Sequence, residues 1–416
     1  MSHNLWKVLF KMACILVGGS LVGTVLLTLV YCIPVDRMYA NYQSVGLDSI
    51  QRREGWHKYL VDYDISTLDN NTEWLMLKAA STPLPETGEN VLQKAMRCYT
   101  LNAEWNHGMT FQQYNWKGES LSCDSYERYW HGYLVILKPL LTVFTYTDLV
   151  YLNIACQALI LFGIIYTLFD KQKQYLLVPF MFFWIMGMQL IIALSLDYSV
   201  CFYIYSAAIL VLLHYPVVKE KYIYFFLIIG MLTGYMDLLT WPLVTLAIPL
   251  VIFVQTEEEN RIIIKKLLAA SFSWAVGYIG MWALKWIIAS VLLRDNVIVD
   301  AVERFLMRSA LASADAGEAQ GISVFLVIRR NLEVFFHGSC AVVLAGIALW
   351  LLVDVIRHWS VIRWRETIPC LMIALFPFGW YLITRNHSYT HYWMTWRNLS
   401  ICVFAICCGF RKAMTD

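Results

Sequence analysis

Residues 13–33, ACILVGGSLVGTVLLTLVYCI, decide the fold, because they run without one charged side chain up to Pro34, Val35 and Asp36. A helix needs roughly 20 apolar residues to cross a bilayer, whereas the core of a cleaved secretion signal is roughly 7–15 residues long. Lys7 and Lys11 precede the run as they would precede a signal. Its length, and the bulky Tyr31 ahead of Cys32 where a lipoprotein cleavage site takes a small residue, predict a retained first membrane helix.

The same criterion picks about ten segments. They are 11–33, 149–169, 175–196, 199–215, 222–238, 240–255, 267–292, 338–356, 366–384 and 392–410, with 222–255 also readable as one broken helix. The composition agrees, at 59% hydrophobic and 15% charged residues over 416 positions, against roughly 45–50% and about 25% in soluble domains. A net charge of +2 leaves no basic face that could hold DNA or RNA by releasing counterions. The expected fold class is an all-α polytopic membrane protein.

Orientation follows from lysines and arginines in the short connections. With the N-terminus cytoplasmic, the connections on that side carry Lys7 and Lys11, Lys171 and Lys173, Lys219 and Lys221, then Arg261, Lys265 and Lys266. Arg357, Arg363 and Arg365 follow, and Arg411 and Lys412 close the chain. Every one is basic, which predicts a multi-pass protein with both termini cytoplasmic; a bacterial plasma membrane is the expected location. The chain then divides into the first helix (1–33), a first outer loop (34–148), helices two to seven (149–292), a second outer loop (293–337), and helices eight to ten with the C-terminus (338–416). The first loop is too long for a connector. Its tryptophans and short helical patterns predict a helical cap lying on the membrane, ended by an interfacial helix around Lys138 and Pro139. Cys98 and Cys123 lie in this polar stretch and could pair in an oxidising compartment.

Three constellations can carry chemistry. Asp36 sits where the first helix leaves the membrane, partly desolvated on a rigid helix end, which suits a general base; the plainer reading pairs it with Arg37. The run Tyr126-Glu127-Arg128-Tyr129-Trp130-His131-Gly132-Tyr133 puts Glu127 and His131 on one face if it is helical. Arg128 and His131 would then bind a phosphate, with Glu127 orienting them as a second candidate catalytic carboxylate. Its alternative is an aromatic belt with snorkelling charges. The third is Arg385, His387 and His391, followed by Arg397 inside the last apolar span, where a charge is costly and usually functional or paired. Phosphate or headgroup binding is set there against capping of the last helix. No glutamate lies between the histidines as a zinc-protease motif requires, so neither metal nor cofactor is expected. Asp237, beside the Trp241-Pro242 break, is placed in a cavity, and Asp197 is read as a cap. Glu303, Arg304 and Arg308 read as a solvated stripe.

The layout resembles the GT-C superfamily of membrane glycosyltransferases, on three features: Asp36 after the first helix, the long outer loop ending in Tyr129-Trp130-His131-Gly132-Tyr133, and about ten spans. The resemblance implies a polyprenyl-phosphate sugar donor whose chain lies in a groove open to membrane lipids. It also implies short horizontal helices in the first loop and Asp36 as the base. Arg37 and Met38 stand where metal-using members carry a second acid, so no metal is implied. The expected function is inverting transfer, in cell-envelope glycan assembly, to a glycan, lipid or protein acceptor. Arg128, His131, Lys138, Asp237, Arg385, His387, His391 and Arg397 would serve the lipid phosphate. A glycan polymerase or ligase using the outer arginines, and a transporter or flippase without chemistry, are the alternatives.

Overall fold

The computed structural model describes residues 2–43, 55–85, 87–101, 123–257, 262–309 and 322–414. The chain is a helical multi-pass membrane protein. Among the described residues, seven helical stretches are long and apolar enough to cross a bilayer: Leu5–Tyr31, Tyr146–Asp170, Leu196–His214, Ile263–Leu293, Ser339–Arg357, Trp364–Ile383 and Tyr392–Lys412. The remaining three expected spans are shorter apolar helices, Gln174–Met186, Tyr222–Met236 and Leu243–Thr256. The stretch 222–255 is thus two helices, separated at 237–242.

In chain order, α1 (Ser2–Tyr31) is followed by a loop region containing α2 (Asp36–Gln43), β1 (Trp56–Lys58), β2 (Thr67–Asp69), α3 (Asn70–Ser81), α4 (Val91–Arg97), β3 (Tyr99–Leu101), β4 (Cys123–Ser125) and α5 (Leu134–Leu141). The bundle continues with α6 (Tyr146–Asp170), α7 (Leu177–Met186), α8 (Gln189–Ala193), α9 (Leu196–His214), α10 (Pro216–Glu220), α11 (Tyr222–Met236), α12 (Leu243–Thr256) and α13 (Ile263–Leu293). A second loop region holds α14 (Val297–Arg308) and α15 (Val324–Phe335). The chain ends with α16 (Ser339–Arg357), α17 (Trp364–Ala374), α18 (Phe376–Ile383), α19 (Arg385–Thr390), α20 (Tyr392–Thr395), a 3₁₀ turn at Trp396–Leu399, and α21 (Ser400–Met414).

Small residues build the centre of the bundle. A Cβ on Gly230 of α11 would stand 2.1 Å from the Trp274 carbonyl oxygen, and one on Gly277 of α13 would stand 2.2 Å from the Leu227 carbonyl oxygen. The two helices are therefore in backbone contact, as membrane helices achieve when glycines face each other. α1 joins them through Tyr235, whose hydroxyl donates to the Gly23 carbonyl at 2.7 Å, and Trp274 ties α12 to the pair through Thr245 Oγ1 at 3.1 Å.

The first loop region is a cap, but not a purely helical one: β1 pairs antiparallel with β2, and β3 with β4. Cys98, just before β3, and Cys123, the first residue of β4, are free thiols at opposite ends of the second ribbon. Asp69 caps α3 by accepting from the Thr72 amide at 3.1 Å, and an Asn90–Gln93 capping box starts α4, each satisfying donors that a helix start leaves orphaned. The opposite ends of these helices are each met by a lysine. Lys138 of α5 donates to the Ala80 carbonyl at 2.8 Å, and Lys285 of α13 to the Met96 carbonyl at 2.7 Å, placing cations on helix C-termini where they are favoured.

Glu73 fastens the cap to the bundle. Its carboxylate accepts from the Tyr146 hydroxyl of α6, from Ser195 Oγ at 2.9 Å and from the Leu196 amide at 3.0 Å. Removing it takes away the acceptor these three donors share, and a buried donor that loses its acceptor costs about 1–3 kcal/mol. Glu73→Leu is expected to reduce the yield of monodisperse protein on size exclusion and to lower its melting temperature, whereas Glu73→Gln, which keeps an acceptor, loses less. Equal melting of Glu73→Leu and the parent chain would count against this fastening.

α16 stands apart, with Leu344 and Ile347 as its buried residues. It is held at its two ends, by Tyr63 OH against Ser339 Oγ at 3.1 Å and by Asp354 against Arg411 at 2.7 Å.

Candidate functional site

The stretch from Tyr126 to Tyr133 is not a helix, so Glu127 and His131 do not share a helical face. Gly132 explains the shape: its amide donates to the Tyr235 carbonyl at 2.9 Å, an approach so close that an added Cβ would lie 2.5 Å from that oxygen. His131 beside it takes a positive φ of 54°. Two tryptophans pin the stretch onto α13, through Trp130 Nε1 to the Met281 carbonyl at 2.7 Å and Trp286 Nε1 to the Arg128 carbonyl at 3.0 Å.

His131 cannot be the expected cation. Its Nε2 faces the Tyr126 carbonyl at 3.0 Å, and a carbonyl only accepts, so Nε2 carries the hydrogen. Nδ1 then accepts from the Tyr133 hydroxyl at 2.9 Å. Burial, and then the charge of Lys285, push this imidazole down to about 3, leaving it neutral and fully bonded. Arg128 is occupied too, by Asp300 at 2.7 Å. Glu127 Oε2 is buried and makes no hydrogen bond among the described residues.

The cation that reaches this place is Arg308, at the end of α14; of the stripe read as solvated, Glu303 and Arg304 are exposed and Arg308 is half-buried. Arg308 donates to the Tyr129 hydroxyl and lies over the Tyr129 ring, 5.5 Å from its centroid. It makes no ion pair among the described residues. α14 is held against α19 by Asn386 Nδ2 donating to the Met307 carbonyl at 3.2 Å. This brings His387 and His391, with ring centroids 4.6 Å apart, to the other side of Arg308. Burial first, then His391 and Arg308, hold His387 well below the usual imidazole range; burial and Arg308 push His391 down to about 4. His387 Nε2 faces the Leu239 carbonyl at 3.1 Å. Trp282 of α13 closes a wall, 4.7 Å from the Tyr129 ring. The structure thus joins the second and third sequence clusters, but around Arg308.

The other expected residues lie elsewhere or are committed. Asp237 is consumed in a turn, accepting from the Thr240 amide at 3.1 Å and hydroxyl at 2.5 Å and from Cys201 Sγ at 3.4 Å, so it is the cap and not the cavity acid. Asp197, read as a cap, is 1% exposed among Asp69 (3%) and Glu73 (1%). Arg397 is wholly buried, donating to the carbonyls of Trp393 at 3.0 Å and Ile65 at 3.4 Å over the Tyr198 ring at 4.2 Å. It serves packing rather than an open phosphate site. Lys138, which burial pushes down to about 8, caps α3. Arg385 is half-buried, with Nε making no hydrogen bond among the described residues. Asp36 is exposed as the first residue of α2, not partly desolvated, and α2 packs on α3 and α5.

Beside this cluster runs a groove of about 340 Å³ between α5, α6 and α9, walled by Ile136, Leu140, Leu152, Val200 and Ile204. Tyr133 lines it and also binds His131, so one side chain touches both the groove and the cluster. Among the described residues no group of three or more His, Cys, Asp or Glu is arranged to hold a metal ion. No family model, no curated protein and no solved structure matches the chain.

Sequence reasoning missed Arg308, Asp69, Glu73 and Lys285. Asp69 and Glu73 did carry a signal, two acids four apart at a helix start, as did Lys285, a charge inside an apolar span.

Proposed function

We propose that this protein is an inverting membrane glycosyltransferase, moving a sugar from a polyprenyl-phosphate donor to an acceptor hydroxyl at the extracytoplasmic face. One observation carries the reading: Tyr133 lines an apolar groove and, through His131, adjoins the aromatic cluster in which Arg308 stands without a carboxylate partner among the described residues. A lipid tail in the groove brings its phosphate toward a fixed cation in a low-dielectric setting, where charge stabilisation is strongest. The aromatic wall of Tyr129 and Trp282 suits the apolar face of a sugar ring.

Asp36 enters this reading through the resemblance alone, since it is exposed. The test is release of free polyprenyl phosphate in proteoliposomes supplied with a panel of radiolabelled polyprenyl-phosphate hexoses and pentoses, with mass spectrometry of copurifying lipids. Release from at least one donor is expected; a protein that binds and cleaves none of them is not this enzyme.

A transporter is the second reading, favoured by Gln189 and Asn398, buried amides whose polar atoms find no partner among the described residues. Such groups in a helix core ask for water or a polar passenger. Uptake of a labelled solute by otherwise empty proteoliposomes would support it.

A further inference from the structure

We propose that His387 is the group that takes the acceptor's proton, through Nδ1. The proposal rests on the glycosyltransferase reading and names the base that reading lacks.

The argument is one of hydrogen positions. His387 Nε2 lies 3.1 Å from the Leu239 carbonyl oxygen. That oxygen has no hydrogen to give, so Nε2 holds one, and a neutral imidazole protonated at Nε2 has a bare lone pair at Nδ1. Nδ1 is buried and without a hydrogen-bond partner among the described residues, on a side chain only 7% exposed. A buried acceptor left bare is unusual, and a ligand hydroxyl is the group that would fill it.

The other histidines and the aspartates singled out above are weaker. His131 spends both nitrogens on Tyr126 and Tyr133, Asp237 spends its oxygens on Thr240 and Cys201, and Asp36 is exposed. His391 also has a bare Nδ1, but it is more exposed than His387 and no hydrogen bond among the described residues fixes its tautomer.

In the step itself, the acceptor oxygen attacks the anomeric carbon as its proton passes to Nδ1. The bond from that carbon to the phosphate oxygen breaks, and its electron pair leaves with polyprenyl phosphate. The imidazolium so formed stands near Arg308, which would oppose it in the empty site. The charge gathering on the leaving phosphate offsets both cations, so His387 becomes a better base as the transition state is approached. The imidazolium then returns its proton to water or to the released phosphate.

His387→Gln keeps an N–H for the Leu239 carbonyl and removes the basic lone pair. In the proteoliposome assay it should lower kcat by about a hundredfold or more, with KM for the donor changed less than about threefold and an unaltered melting temperature. His387→Ala should regain activity with added imidazole. A kcat for His387→Gln near that of the parent chain, with loss in Asp36→Asn, would overturn the proposal and leave the glycosyltransferase reading standing. Absence of donor cleavage by the parent chain would overturn both. Should the variants not fold, nitrogen-15 spectra of the parent protein decide: Nδ1 of His387 without hydrogen supports the proposal, and Nδ1 with hydrogen refutes it.

Discussion

Gly277→Val should cost about 3 kcal/mol of stability, the upper end of what overpacking a fitted interior usually does. The reason is the atom it would strike. A Cβ at 277 meets the Leu227 carbonyl oxygen at 2.2 Å and the Met231 amide nitrogen at 3.0 Å, and backbone cannot rotate out of the way as a side chain can. α11 and α13 must move apart, which also breaks the facing contact at Gly230 and loosens Tyr235, the residue that carries both the α1 contact and the Gly132 amide. Gly346→Ala on α16 is the control, since nothing stands within 4 Å of its Cβ; alanine there gains about 0.8–1.0 kcal/mol in helix propensity. Unfolding in mixed micelles followed by tryptophan fluorescence reads both variants. Equal stability for Gly277→Val and the parent chain would show that the two helices are not in backbone contact.

The second large effect is on activity. Arg308→Gln is expected to lower kcat for polyprenyl phosphate release by about a hundred- to a thousandfold, the usual consequence of removing one fixed group that stabilises developing negative charge. Arg308→Lys should recover part of it, because a lysine restores charge without the planar fork. Arg304 lies one turn away on the same helix, exposed and near Asp300 at 4.0 Å, and Arg304→Gln should leave kcat unchanged. If Arg308→Gln and Arg304→Gln behave alike, Arg308 is part of the packing and not of the site.

The membrane helices were legible because burial in lipid writes itself into a run of residues: α1 needs nothing but its own composition to be recognised. The cap's lysines were partly legible, since Lys138 interrupts an apolar stretch, but their partners, the carbonyls of Ala80 and Met96, leave no mark in a side-chain pattern. The 126–133 cluster was located but misshapen. Helical spacing was applied to Glu127 and His131 where Gly132 docks its backbone on Tyr235, and a glycine in a sequence does not say which carbonyl it will approach. Arg308 shows the limit most clearly. Its amphipathic helix is visible from Val297 onward, yet which side of it meets water depends on α19, some eighty positions away in the chain. Asp237 and Asp197 were misjudged for the same reason: a carboxylate beside a turn looks alike whether its neighbours are donors in the next three residues or two buried acids more than a hundred residues earlier.

The isolation of α16 bears on how the protein responds to its bilayer. A span with so little protein around it owes its position to lipid, and a mismatch between its apolar length and the bilayer is relieved by tilting. Tilt cannot be silent here, because both ends are tied. One tie, Asp354 to Arg411, ends in the last helix; the other, Ser339 to Tyr63, ends in the cap. Membrane thickness is thereby given a mechanical line to the cap that no soluble partner is needed to transmit.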